Sequence, residues 1–162
     1  MRHLRLLLLS AVIALTVTAA GEAAIIATRA TGSQAFELYR GKGQAVVAKR
    51  GAVLGGVGRG KIKIKRVPGG PAPQGYVTGC ERRYGSWSDV LVCRGRALRF
   101  YVHDGNWRLR LRGRGINASG VVRGYLSLGP LSAAAGSAGW YSLGGRAYRP
   151  WPVTWQTFRL AT

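Results

Sequence analysis

Acidic residues are scarce in this chain. Among its 162 residues, five Asp and Glu stand against 25 Lys and Arg, which gives a formal net charge of +20. The carboxylates after residue 23 are Glu37, Glu81, Asp89 and Asp104. This supply nearly excludes catalysis by a carboxylate pair. His103 and Asp104 are adjacent, as a catalytic general base and its orienting carboxylate could be. The pattern around them matches the last residue of a strand and the first residue of a turn better. The composition therefore predicts a protein that is not an enzyme.

Cysteine is also rare, and Cys80 and Cys93 lie on either side of the turn-like segment RRYGSWS. A structural zinc site usually needs four ligands, and His103 is the only histidine beyond the N-terminal stretch, so we expect no metal. The stretch GRGINA (113–118) matches a degenerate dinucleotide fingerprint, but a strand pattern follows where a helix is required, so we expect no cofactor. An even cysteine count in an exported chain predicts a disulfide. Closing its loop is worth about 3 kcal/mol.

Long apolar runs are absent except near the N-terminus, where Arg2, His3 and Arg5 precede an apolar run over residues 6–20. A basic region followed by an apolar stretch and small residues is typical of a secretory signal peptide. We predict a signal peptide over residues 1–23, cleaved after residues 19 to 23, a linker over 24–34 and one domain over 35–162. The protein is then secreted or held in the cell envelope, without integral membrane contact after cleavage. The alternative is a membrane anchor formed by an uncleaved N-terminal helix.

Glycine is abundant, at 25 residues, and apolar residues alternate with polar ones along much of the chain. Alternation with a period of two predicts strands. We expect them at residues 35–40, 44–49, 60–67, 75–80, 88–93, 98–103, 107–112, 121–128, 139–143 and 153–160. Glycine and proline clusters between them predict turns, and Asp104 with Gly105 predicts a hairpin of the strands at 98–103 and 107–112. The expected fold class is all-β, a single antiparallel β-sandwich or small barrel of about nine short strands.

Two basic stripes stand out within this pattern. One consists of Lys61, Lys63 and Lys65, and the other of Arg108, Arg110 and Arg112. Residues two apart on a strand point the same way, so each stripe presents a row of charge that suits a linear polyanion. The alternative is that these side chains only keep strands soluble and prevent pairing between molecules. Whether the two stripes share a face is left open by the sequence.

Aromatic residues concentrate toward the C-terminus in GWYSLGGRAYRPWPVTW. Most of them are expected to fill the core of a small β domain. Prolines on both sides of Trp151 predict an extended edge segment, and we expect this ring to be exposed. An alternative function follows, in which Trp151, Tyr148 and Trp140 stack on the sugars of a glycan.

The stretches GRGINASGVVRGYLSL, GWYSLGGRAYRPWP and TFRL cover the C-terminal third of the chain. They resemble uncharacterised small exported β proteins of actinobacteria that are rich in glycine and arginine. The resemblance implies an exported all-β fold and brings no catalytic residues with it.

The function predicted from the sequence is that of an exported cationic β domain that binds anionic polymer by its basic strand faces. The partner is an anionic envelope polymer or nucleic acid, bound without sequence preference. A structural or protein-interaction domain with no dedicated ligand is the rival hypothesis. The oligomeric state is left open.

Overall fold

The computed structural model describes residues 33–161, and all regular secondary structure in that range is strand. The strands are β1 (Gln34–Arg66), β2 (Gln74–Gly85), β3 (Val90–His103), β4 (Trp107–Gly129), β5 (Ala138–Leu143), β6 (Arg149–Pro150) and β7 (Gln156–Leu160). The predicted all-β class is confirmed. The predicted signal peptide over residues 1–23, and the linker over 24–34 apart from its last two residues, lie outside the described residues.

The seven strands form one antiparallel sheet. Its strand order is β2-β3-β1-β4-β7, with β5 paired to β1 and β6 to β5. This path is open, because β2 ends it on one side and β7 on the other. Over residues 33–161 no helix has the length and apolarity needed to cross a membrane.

The expectation of about nine short strands was wrong. Strand β1 unites the predicted strands at 35–40, 44–49 and 60–67, and β4 unites those at 107–112 and 121–128. Two of the glycine clusters predicted as turns, at residues 55–60 and 113–120, lie inside these long strands. At Gly60 a Cβ would collide with the carbonyl oxygen of Arg112 on the facing strand. Glycine here permits close approach of two backbones and does not end a strand.

Strands β1 and β4 pair with each other twice. Val122 faces Gln34 across one edge and Gly51 across the other, and Trp107 likewise faces both Lys49 and Arg66. The segment 107–122 of β4 therefore lies between two parts of β1. Each of the two long strands pairs with the other along both of its edges, so both strands must coil.

The sheet buries a single hydrophobic core. Among its largest members are Trp107, Phe36, Phe100, Ile62 and Ile64, each at most 1% exposed. Because no second sheet is present in the described residues, the sheet buries these side chains by curling around them. The predicted inward faces of the strands at 60–67, 98–103 and 107–112 are confirmed.

The predicted hairpin of β3 and β4 was wrong. Asp104 and Gly105 both have a left-handed backbone (φ 54° and 60°), as a tight turn requires. The strands that they join are nevertheless not paired with each other, because β1 and β2 occupy the two edges of β3. The turn connects two strands that both pair with β1.

The disulfide between Cys80 and Cys93 is confirmed. The two cysteines lie on β2 and β3, which pair antiparallel, and their Cα atoms are 5.3 Å apart. Residues 67–73 and 130–137 contain no strand or helix.

An irregular row of residues crosses the sheet from strand to strand. We call it the crease, and it consists of Arg40, Gly58, Gly79, Ala97 and Gly115. At each of these residues the pairing of neighbouring strands skips a position. Four of the five have a positive φ: 49° at Arg40, 78° at Gly79, 50° at Ala97 and 67° at Gly115. Aligned β-bulges bend a sheet, so the crease divides the outer face into two regions.

Candidate anion-binding face

The strand register brings the two predicted basic stripes together. Lys61 lies opposite Arg112, Lys63 opposite Arg110 and Lys65 opposite Arg108. Residues directly opposite each other in an antiparallel pair point to the same side of the sheet. The two stripes are therefore neighbouring rows on one outer face.

Further cations extend this face across the sheet. Lys61 also faces Arg94 on β3, which in turn faces Arg82 on β2. Beside this row, Arg114 lies between Lys42 and Arg59. We call the whole set the basic face, and its members are Lys42, Arg59, Lys61, Lys63, Lys65, Arg82, Arg94, Arg96, Arg108, Arg110, Arg112 and Arg114.

Half of the basic face was missed by sequence reasoning. Arg94 and Arg96 are two residues apart in CRGRAL, a spacing that carries the same alternation as the recognised stripes. Arg59 and Arg114 extend the two recognised stripes by the same spacing of two residues. Lys42 and Arg82 stand in no repeated pattern. Only the register places them beside the stripes, because their partners are far away in the chain.

Few carboxylates neutralise the basic face. Within residues 33–161 its only ion pair joins Arg96 to Glu81, at 4.0 Å between Nε and Oε1, and both side chains are well exposed. An exposed pair of this kind contributes little stability. The guanidinium of Arg112 donates to the carbonyl oxygen of Leu131 at 3.5 Å, which neutralises no charge.

The pKa of Lys61, near the centre of the basic face, is lowered by its surroundings. Partial burial lowers its pKa below the ordinary value, and the nearby charges of Arg94, Lys63, Arg112 and Arg110 lower it further. Like charges directly opposite each other on a sheet are destabilising. The folded protein therefore holds repulsion that a bound anion would relieve.

The structure buries one of the three aromatic residues that were predicted to stack on a glycan. Trp151 is only 3% exposed, and its ring packs on Gly41 and Gly43 while its indole Nε1 donates to the carbonyl oxygen of Gly129 at 3.1 Å. The two glycines leave room for the ring against the sheet. The predicted exposure of Trp151 is overturned, so this residue is not available to stack on a sugar.

Trp140 and Tyr148 are exposed, at 47% and 51%, and Tyr39 joins them at 46%. Trp140 lies opposite Tyr39 across the pairing of β5 with β1. These three rings line a cavity of about 390 Å³. Sequence reasoning missed Tyr39, which lies a hundred residues from the other two.

A second cavity, of about 530 Å³, adjoins the first, and Tyr39 and Tyr148 line both. We call the two cavities together the groove. The hydroxyl of Tyr148 donates to the carboxylate of Glu37. This hydrogen bond, with partial burial and the charge of Glu37, raises the pKa of Tyr148 above its ordinary value. The contact holds the Tyr148 ring at the edge of the groove.

The histidine considered for catalysis lies apart from the basic face. Nδ1 of His103 is 2.9 Å from Oδ2 of Asp104, and the imidazole stacks on Tyr101 with ring centroids 4.7 Å apart. No group of three or more His, Cys, Asp and Glu side chains suited to a metal occurs in residues 33–161.

Comparisons of the chain with protein-family models, with curated proteins and with solved structures found no match. The resemblance to exported actinobacterial β proteins stays a prediction.

Proposed function

We propose that the protein is an exported, non-enzymatic domain that binds an anionic polymer along the basic face. The observation that carries this proposal is the contiguity of the cations across four paired strands, with a single ion pair among the described residues to offset them. Arginine forks and lysine ammonium groups are the usual protein ligands of phosphate and sulfate.

The position of the basic face within the sheet favours binding over edge protection. Charged residues that block pairing between molecules belong on edge strands. Every member of the basic face except Arg82 lies on β1, β3 or β4, and these strands have a neighbour on both sides. Edge protection does not require charge at such central positions. Like charges that lie opposite each other there destabilise the fold.

The dimensions of the face suit a chain-like ligand. Successive outward residues of one strand are about 6.8 Å apart, and neighbouring strands are about 4.8 Å apart. A polymer lying across the face meets cations both along each strand and from one strand to the next. If it contacts about six of them, release of its counterions lowers affinity roughly a thousand-fold between 50 and 200 mM salt.

The location proposed for this binding is the cell envelope or the extracellular space. The disulfide supports an oxidising compartment, and the predicted signal peptide provides a route of export. An envelope polymer that carries phosphate or another anionic group is the partner we favour. Nucleic acid is the second polymer to be compared with it.

The experiment compares two triple variants. In the first, Arg108, Arg110 and Arg112 are changed to Ser. In the second, the matched control, Arg83, Arg146 and Arg159 are changed to Ser, which removes the same charge outside the basic face. Binding of fluorescent polyphosphate and of single-stranded DNA is measured by anisotropy at several salt concentrations.

We expect the first variant to reduce the slope of log affinity against log salt by about 2 to 3 for polyphosphate. The control should change it by less than about 1. Equal effects of the two triples would show that net charge alone attracts the polymer, and the basic face would then not be a site.

A further inference from the structure

The groove lies on the same outer side of the sheet as the basic face, across the crease. Its floor is made of small residues, among them Gly55, Gly56, Ala97 and Gly115. Small side chains leave the backbone of three neighbouring strands uncovered there. Tyr39, Tyr148 and Trp140 rise beside this floor as an exposed aromatic wall. The result is a trough with one flat apolar side.

The polar groups of the groove favour a neutral, hydroxyl-rich ligand. Glu37, Asn117 and Ser119 line it together with Arg99. A carboxylate accepts strong hydrogen bonds from hydroxyl groups, whereas it repels phosphate and sulfate. Binding sites for small molecules combine apolar and aromatic walls with a few placed polar groups. A sugar ring offers an apolar C–H face to the wall and hydroxyls to Glu37.

Tyr148, one of the three rings of the wall, is held in place before any ligand binds. The Tyr148 hydroxyl donates to Glu37, which belongs to β1. Asn117 accepts a hydrogen bond from the backbone N–H of Arg40 at 2.9 Å and donates to the carbonyl oxygen of Gly115 at 3.3 Å. These contacts tie the groove to the crease, so that ligand binding does not have to order these side chains.

The groove is continuous with the basic face. Gly58, Ala97 and Gly115 line the groove. The residues next to them in the chain on the other side of the crease are Arg59, Arg96 and Arg114, all of the basic face. This step of one residue corresponds to about 3.3 Å along a strand. A polymer in the groove therefore reaches the cations without leaving the surface.

We infer that the groove binds a neutral sugar ring of an anionic glycopolymer whose charged groups lie on the basic face. The inference rests on the proposed function, because it takes the anionic groups of the polymer to bind the basic face. It narrows the class of ligand to anionic polymers that contain sugar rings. A polymer that contains both sugar rings and anionic groups is preferred to a polyanion without rings.

The test uses two polymers and two double variants. Hyaluronan oligosaccharides alternate a neutral sugar with an anionic one, whereas polyphosphate has no rings. The groove variant carries Tyr39→Ala and Trp140→Ala. The matched control carries Tyr76→Ala and Trp155→Ala, which removes two rings of similar exposure outside the groove. Thermal melting confirms that each variant is folded.

We expect the groove variant to weaken hyaluronan binding at least ten-fold and polyphosphate binding less than two-fold. The control should change neither by more than two-fold. An unchanged affinity for hyaluronan, or an equal loss for both polymers, would overturn the inference.

The arginine triple at 108, 110 and 112 separates this failure from failure of the proposed function. If the basic face binds the charged groups, the triple weakens both polymers. If the triple leaves both affinities unchanged, the proposed function fails, whatever the groove variant does.

Discussion

Replacing Lys61 with threonine should stabilise the folded protein at low salt. Lys61 has two like-charged residues directly opposite it, Arg112 on β4 and Arg94 on β3. A cross-strand pair contributes roughly 0.2 to 1 kcal/mol, with a destabilising sign for like charges. Removing both repulsions should therefore raise the free energy of unfolding by about 0.4 to 2 kcal/mol. Threonine also suits a central strand.

The assay is thermal and urea unfolding in 10 mM and in 1 M salt. The Debye length falls from about 30 Å to about 3 Å between these conditions, so the advantage of K61T should largely disappear at 1 M. Arg99→Thr is the control, because the residues opposite Arg99 on its two neighbouring strands are Gly56 and Thr78, so no directly opposed like charge is removed there. Its effect should stay within about 0.5 kcal/mol.

The pH dependence gives a second measure of the cost of a charged Lys61 in the folded protein, to which burial contributes most and the repulsion by neighbouring cations the rest. The pKa of Lys61 is lowered in the folded protein, so the unfolded chain binds its proton more tightly. Stability therefore rises with pH as Lys61 loses its proton in the folded state, up to its ordinary pKa of 10.5. K61T lacks this contribution. A K61T protein that is less stable than wild type at low salt, or equally stabilised at both salt concentrations, would show that Arg112 and Arg94 do not destabilise the fold through Lys61.

Three further predictions concern the disulfide and the aromatic residues. Changing Cys80 and Cys93 to Ser should lower the free energy of unfolding by about 3 kcal/mol in urea titrations, and a loss below about 1 kcal/mol would contradict the loop-closure account. Trp151→Ala should cost about 3 to 5 kcal/mol because the ring is buried, whereas Trp140→Ala should cost less than about 1 kcal/mol, and similar losses would be inconsistent with the described packing. In an ultraviolet titration, Tyr148 of the wild type should show a pKa above its ordinary value, which Glu37→Gln should bring back toward that value. The raised pKa of Tyr148 stabilises the folded state below pH 10, and this stabilisation is lost at higher pH. An unchanged titration in E37Q would exclude the Glu37 contact.

The faces of the strands could be predicted from the sequence because the pleat enforces alternation. Ile62 and Ile64 are buried and their neighbouring lysines point outward, as the period of two requires. The neighbours of each strand could not be predicted in the same way. Lys61 meets Arg112 only through a register set by two long coiled strands, and no local pattern specifies that register.

Glycine was the main source of error in the predicted strands. A glycine that ends a strand and a glycine that lets two backbones approach are identical in the sequence. Gly60 belongs to the second kind, as the facing carbonyl of Arg112 shows. Trp151 was misjudged for a related reason, since the glycines that receive its ring, Gly41 and Gly43, are more than a hundred residues away.

The groove could not have been assembled from the sequence. Tyr39 comes from the start of β1, whereas Trp140 and Tyr148 come from β5 and the loop that follows it. Only the pairing of β5 with β1 places these rings together. The sequence indicated that aromatic residues were numerous, but their partition between core and surface depends on the tertiary fold.

The most direct test of the basic face is a map of amide chemical shifts as polyphosphate is added to the isotopically labelled protein. We predict that the largest changes fall at residues 59–65, 94–96 and 108–114, which carry all members of the basic face on β1, β3 and β4 except Lys42. Changes spread evenly over all arginine-bearing segments, or centred on Arg123, Arg146 and Arg159, would show that the basic face is not the binding site.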